Sequence, residues 1–306
     1  MSVPFRVDLS GKTAVVTGGG GVLCSCFAEA LGECGAKVAV LDLSLDAADA
    51  VAKRICANGG TAQAFACNVL EKESILAAGD AVIAAFGNID ILINGAGGNN
   101  PRATTDREYL FPEDLTGEAD GKSFFDLTPE GIQFVFNLNC LGTLLPTQVF
   151  ARNMAVHGGI IINISTMNAY RPLTKIPAYS AAKAAVSNLT MWLAVHLSKV
   201  NIRVNAIAPG FFVTKQNEKL LFDDNGNPTP RTDKILAHTP MGRFGKPEEL
   251  VGTLLYLCDN NASGFVNGTV IPVDGGFAAY SGVESWHSEQ YASLIRRFAT
   301  VSRCPV

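Results

Sequence analysis

Apolar positions along the chain fall into two alternating patterns. Short, nearly continuous apolar runs near 13–17, 36–41, 62–66, 89–93, 159–164, 201–207 and 269–273 have the length of strands. Between them, apolar residues recurring at three- and four-residue spacing predict helices near 22–34, 45–57, 71–86, 129–156, 178–199 and 247–259. Glycines at 35, 59–60 and 87 sit where helices should stop. Runs such as Ile89-Asp-Ile-Leu-Ile93 lack the apolar-polar alternation of a half-solvated strand, which predicts a parallel sheet covered on both faces. The alternation continues without a linker-like interruption, so residues 1–306 are expected to form a single α/β domain, doubly wound, with seven parallel strands and helices on both faces.

Three segments exceed that plan. Residues 98–127 and 215–246 are long polar connections, expected to be substrate-loop insertions that wall or cover a site, and the 281–306 tail is expected to make a subunit contact or to be disordered. A hydrophobic content of 48% with 17% charged residues suits a large core, and a net charge of −4 argues against a nucleic-acid surface. No eighteen-residue apolar span and no charged-then-apolar leader is apparent, so neither membrane insertion nor export is expected, and the protein is expected in the cytoplasm. The eight cysteines are scattered; Cys24-x-Cys26 is too tight for an ordinary zinc pair and has no matching His/Cys cluster, so reduced thiols and no metal site are expected.

The chemistry begins at Thr13-Ala-Val-Val-Thr17, followed by Gly18-Gly-Gly-Gly21 and the first helical stretch. Strand, glycine turn and helix in that order make a phosphate cradle, because glycine lets backbone approach a pyrophosphate and the free N–H groups of the helix N-terminus face it. The next strand ends in Asp42, an acid that suits the ribose hydroxyls of NAD and repels the 2′-phosphate of NADP, so NAD(H) is expected over NADP(H). Further along, Tyr179 and Lys183 stand one helical turn apart in Ala178-Tyr-Ser-Ala-Ala-Lys183. An ammonium beside a phenol favours phenolate, so Lys183 is expected to lower the Tyr179 pKa and make Tyr179 a general acid/base.

With Asn94-Gly-Ala-Gly97, Asn139-Cys-Leu-Gly142, Ser165-Thr166, Pro209-Gly210-x-x-x-Thr214 and Val273-Asp-Gly-Gly276 in order, residues 8–280 resemble the short-chain dehydrogenases/reductases, a Rossmann-type family. That resemblance implies Tyr179 as proton donor and acceptor, Lys183 on the nicotinamide ribose, and Asn139 holding a water for proton relay. It implies cofactor contacts from Thr17, Gly18, Gly20, Gly21, Val22 and Leu23, from Asp42 and Leu43, and from Asn68 and Val69 after the third strand. Asn94, Gly95, Ala96 and Gly97 belong to the same set, with Asn94 beside the adenosine ribose, as do Pro209, Gly210, Phe212 and Thr214. Two departures stand out. Val22 and Cys24 occupy the places of the family's second and third loop glycines, leaving Gly21 to take the turn. The hydroxyl partner of Tyr179 is Thr166 by spacing or Ser165 by residue type, and since successive strand residues point to opposite faces, only one should reach the substrate.

Arg171 and Lys175, close before Tyr179, suit a substrate carboxylate, and Asn99 and Arg102 suit hydroxyls, so a small polar sugar acid is expected rather than a steroid or acyl group. The 94–99 run, the 98–127 insertion, the 171–177 run and Pro209-Gly-Phe-Phe212 together resemble that family's D-mannonate oxidoreductases, or fructuronate reductases, which implies interconversion of D-fructuronate and D-mannonate by a homo-oligomer, a tetramer or a dimer. Two alternatives stand beside it. One is another polyol or sugar-acid dehydrogenase of gluconate or deoxygluconate type, and the other is a catalytically silent dinucleotide-binding regulator, against which an intact Tyr179, Lys183 and Asn139 count.

Overall fold

The computed structural model describes residues 7–116, 121–214 and 217–282. Most of the tail, with Trp286, Tyr291, Arg296 and Arg297, and small parts of both insertions lie outside the described residues. Seven strands form one parallel sheet in the order β3-β2-β1-β4-β5-β6-β7, namely β1 Thr13–Thr17, β2 Lys37–Asp42, β3 Thr61–Ala66, β4 Ile91–Asn94, β5 Gly159–Ile164, β6 Ile202–Pro209 and β7 Val270–Val273. The central strands are buried on both faces, as a sheet sandwiched by helices requires. Ala14, Val16, Ile91 and Ile93 pack on one face under α1 (Val22–Glu33) and α2 (Leu45–Ala57). Val15 and Leu92 pack on the other with α3 (Lys72–Phe86) and the later helices α5 (Gly142–Met154) and α6 (Pro177–His196).

The order reverses at β1, whose neighbours β2 and β4 lead the backbone in opposite directions across the sheet. Loops leaving the carboxyl ends of β1 and β4 therefore diverge, and the crevice between them is where such sheets bind ligands. β4 starts two residues later than its apolar run because Asp90 is engaged with β1. Its carboxylate accepts the Thr13 N–H at 2.9 Å, and its own N–H donates to the Thr13 carbonyl.

The long helix expected at 129–156 is interrupted. α4 (Pro129–Phe136) passes through a π turn at Asn137–Leu141 before α5 begins, and α5 carries Pro146 inside it. Proline has no N–H to return to the preceding turn, and a widened turn relieves the misfit upstream. An eighteen-residue window within the joined Pro129–Met154 run reaches a mean hydropathy of 1.2, which by length and composition alone would suffice to cross a membrane and which core helices also reach. In this fold its Asn139, Thr143 and Thr147 are buried. Pattern reading missed the short helices α7 (Glu218–Leu221) and α8 (Pro230–Ala237) in the second insertion. For α8 the signal existed: Thr229 caps the Thr232 N–H, and Pro230 opens the first turn. After α9 (Val251–Cys258), a one-turn α10 (Asn260–Ser263) leads to β7.

Candidate active site

β1 and β4 deliver their loops to the crevice with almost no space between them. Thr17 Oγ accepts the Gly95 N–H at 3.1 Å, and a Cβ on Gly18, whose φ is +64°, would lie 2.9 Å from the Ala96 backbone. Gly21 caps α1 without any side-chain acceptor for the first N–H groups, so those donors stay available at the crevice, where Gly18, Gly20, Gly21, Val22 and Leu23 line the wall. The Cys24 side chain takes up the volume that a Cβ on Gly95 would need, which is how the loop tolerates a cysteine at a position expected to be glycine. At one end Asp42 accepts the Gly20 N–H and the Ser44 N–H, each at 3.0 Å, which fixes its carboxylate at the crevice edge.

At the other end Pro177 opens α6, and Tyr179 and Lys183 follow on its crevice-facing side, the Lys183 ammonium 5.9 Å from the Tyr179 ring centre. Lys183 is 4% exposed and donates to the Ile164 carbonyl at 2.7 Å. The π turn carries Asn139, fully buried, whose amide clasps Gly98: Nδ2 donates to the Gly98 carbonyl at 2.8 Å and Oδ1 accepts the Gly98 N–H at 3.3 Å. Gly97 is where these groups meet, since a Cβ there would lie 2.8 Å from Asn139 Oδ1 and 3.1 Å from Lys183 Nζ.

Burial pushes the Tyr179 phenol up to about 12 and the Lys183 ammonium down to about 8, each by penalising the charged form. The expectation that Lys183 lowers the Tyr179 pKa is therefore corrected: the ammonium is held by the Ile164 carbonyl, and desolvation of the phenol dominates. Near neutral pH the phenol keeps its proton, the form a proton donor needs.

Ser165 and Thr166, just past the end of β5, both line the crevice, and their hydroxyls turn to different partners. Ser165 Oγ donates to the Lys183 carbonyl at 3.2 Å and lies 2.7 Å from Ser187 Oγ, both on α6. Thr166 Oγ instead donates to the Pro209 carbonyl at 3.2 Å, and Pro209 is itself on the crevice wall with Gly210, Phe212 and Thr214.

Several expected contacts lie elsewhere. Asn94 is 1% exposed, and its amide donates to Thr147 and Asn163 inside the fold, so it stands behind the crevice wall rather than on it. Leu43, Asn68 and Val69 are also outside the lining; Leu43 points to solvent, and Asn68 closes a turn with Glu71. Arg171 donates to the Tyr280 carbonyl and Ser281, so its guanidinium is held by the segment beyond β7. Arg102 is exposed, while Asn99 bonds Thr104 and keeps one buried oxygen without a protein partner. Lys175 sits at φ +72°, held through its carbonyl by the Thr105 N–H. Sequence reading missed Cys24, Arg54 and Phe211 on the crevice lining, none of which has a residue-type signal for that place.

Comparison with known proteins agrees with this geometry. The family profile described as enoyl-(acyl carrier protein) reductase matches residues 23–278. An uncharacterized oxidoreductase of Haemophilus influenzae is 59% identical over 284 residues, covering 92% of this chain and 99% of its own. A crystal structure from Haemophilus influenzae, described as a candidate D-mannonate oxidoreductase with bound NAD, is 58% identical, with a TM-score of 0.86 over 90% of this chain and 98% of the other. A gluconate 5-dehydrogenase of Gluconobacter oxydans is 32% identical over 90% of this chain and 98% of its own. With a doubly wound parallel sheet, a glycine loop at the switch point and a Tyr-x-x-x-Lys pair at the far end of one crevice, the protein belongs to the short-chain dehydrogenase/reductase family and is an oxidoreductase acting on CH–OH groups.

Proposed function

We propose that this protein, read as one domain, is an NAD(H)-dependent oxidoreductase that interconverts a keto sugar acid and its hydroxy acid, D-fructuronate and D-mannonate foremost. The observation that carries this reading is the pairing of Tyr179 and Lys183 with the glycine loop in one crevice, in a protein 58% identical to a structure described as a candidate D-mannonate oxidoreductase with bound NAD. The residues fit a dinucleotide. The uncapped backbone donors that open α1 at Val22 and Leu23 suit a pyrophosphate, and Asp42 suits ribose hydroxyls. Arg54, a cation on the lining besides Lys183, is paired with Glu29 at 2.6 Å, so little compensates a 2′-phosphate against Asp42.

NAD(H), when bound, supplies or accepts the hydride. Tyr179 donates its proton to the substrate carbonyl oxygen in the reduction and takes it back in the oxidation. Thr166 shares that oxygen, a reading supported by its hydroxyl lying toward Pro209 while Ser165 is engaged with α6. Lys183 and Asn139, packed together on Gly97, hold the groups that return the proton to Tyr179, with positioning supplying much of the acceleration. The gluconate-dehydrogenase likeness, at 32%, keeps a neighbouring sugar acid as the second reading.

The test is turnover of the purified protein with NADH and NADPH across keto-uronates, ketogluconates and neutral ketoses. Fructuronate with NADH should give the highest kcat/KM. No turnover of any keto sugar acid, or a higher kcat/KM with NADPH, would overturn the proposal.

A further inference from the structure

The crevice wall that follows β6 is fastened residue by residue, each time by a different part of the fold. The Gly210 N–H donates to the Val273 carbonyl of β7 at 2.9 Å, and the Phe211 carbonyl accepts the Gly245 N–H at the same distance. The next fastening comes from a side chain. Asn217 Nδ2 donates to the Phe212 carbonyl at 2.8 Å, and Asn217 Oδ1 accepts the Thr214 N–H at 2.7 Å. One planar amide thus bridges the backbone on both sides of Val213. The Thr214 carbonyl in turn accepts the Asn217 and Glu218 N–H groups at 3.0 and 2.9 Å, which closes the junction between this wall and α7.

The bridge explains the residue type. A backbone carbonyl only accepts and a backbone N–H only donates, so the side chain between them needs a donor and an acceptor side by side, as a carboxamide has and a carboxylate lacks. Thr214 and Asn217 both line the crevice, with Pro209, Gly210 and Phe212. Among the described residues the bonds that hold Thr214 use its backbone alone, which leaves its hydroxyl for a ligand. The sheet order settles which half of the crevice this wall serves. β6 lies on the opposite side of β1 from β2, whose end carries Asp42, and the Pro209 carbonyl accepts from Thr166 beside the Tyr179 end.

We propose that Asn217 is a positioning residue for the nicotinamide end of NAD(H): its amide fixes the backbone from Phe212 to Thr214 and so aims the Thr214 hydroxyl at the cofactor. This rests on the NAD(H)-dependent reading above and on no choice of substrate. Asn217 acts through Thr214 and not on the reacting atoms. Its loss therefore loosens the hold on the nicotinamide half and leaves the adenosine half, which meets α1 and Asp42, as it was.

The experiment measures dissociation constants of NADH and of ADP-ribose, which lacks the nicotinamide, for the parent, Asn217→Ala, Asn217→Ser, Thr214→Val and the Asn217→Ala/Thr214→Val double variant, with thermal unfolding alongside. Asn217→Ala should weaken NADH by roughly three- to tenfold, the range of a lost hydrogen bond, and leave ADP-ribose near its parental value. Serine suits the start of α7 but is too short to bridge both groups, so Asn217→Ser should weaken NADH in the same way and carries the test if the alanine variant misfolds. Thr214→Val should also weaken NADH, and the double variant should be no weaker than the poorer single one, because the amide works through the hydroxyl. Parental NADH affinity in both Asn217 variants, equal weakening of NADH and ADP-ribose, or fully additive losses in the double variant would overturn the proposal and make Asn217 a brace for α7 alone. A parent that binds neither NADH nor ADP-ribose fails the cofactor reading first, a result separate from a parent that binds both beside unresponsive variants.

Discussion

Gly97→Ala tests the catalytic geometry at its tightest point. The added methyl would lie 2.8 Å from Asn139 Oδ1 and 3.1 Å from Lys183 Nζ, closer than a carbon and these atoms ordinarily approach, so both must give by a few tenths of an ångström. Lys183 has little room, being bonded to the Ile164 carbonyl at 2.7 Å. Asn139 is the softer neighbour, and its bond from the Gly98 N–H, already 3.3 Å, should be lost. One such bond is worth about 1 kcal/mol and overpacking costs about 1–3 kcal/mol, so a stability loss of roughly 2–4 kcal/mol is expected. Since a displacement of about 1 Å can cost on the order of 10²-fold in rate, a shift of a few tenths should lower kcat about tenfold. Steady-state kinetics with NADH and a keto acid, paired with thermal unfolding, would read both effects. Gly252→Ala is the control: it lies in α9, a Cβ there meets nothing within 4 Å, and alanine should stabilise the helix by about 0.5–1 kcal/mol without touching the crevice. A Gly97→Ala enzyme with parental kcat would refute the packing of Lys183 and Asn139 around this residue.

The remaining expectations follow from the same crevice. Tyr179→Phe should retain NADH affinity by fluorescence titration yet lose on the order of 10²-fold or more in kcat; near-normal turnover would remove Tyr179 from the chemistry. Because burial lowers Lys183 to about 8 and raises Tyr179 to about 12, reduction should hold steady below pH 8 and decline as pH rises through it, while oxidation, which needs a proton acceptor, should rise over that interval. A reduction rate flat to pH 10 would contradict that assignment of Lys183. Thr166→Ala should lower kcat more than Ser165→Ala, whose hydroxyl serves α6; the reverse ranking in parallel assays would exchange their roles. Asp42→Ala should narrow the preference for NADH by removing the charge that opposes a 2′-phosphate, measured as the ratio of kcat/KM values; an unchanged ratio would point to another determinant.

What was legible in the sequence is what local chemistry dictates. β1 and β6 could be found because burial on both faces demands near-continuous apolar runs, and the crevice could be placed because Gly18 and Thr166 follow strand ends and Pro209 closes β6. Less legible were groups whose partners lie far along the sequence. Spacing permits either Ser165 or Thr166, and the choice depends on Ser187 and Pro209, which are 22 and 43 positions away. Arg171 reads as a free cation until Tyr280, 109 positions on, is seen to accept from it. Asn94 sits at a strand end, yet its amide nitrogen turns inward to donate to Thr147 and Asn163, while its oxygen is buried without a protein partner. The proton-transfer residues have local signals, since α6 must present Tyr179 and Lys183 on one side. The insertions are connections whose geometry is settled only when they meet, as Glu108 and Lys234 do. Reaction class can therefore be read from a single helix of this protein, whereas substrate choice requires the three-dimensional pairing of segments that have no pattern in common.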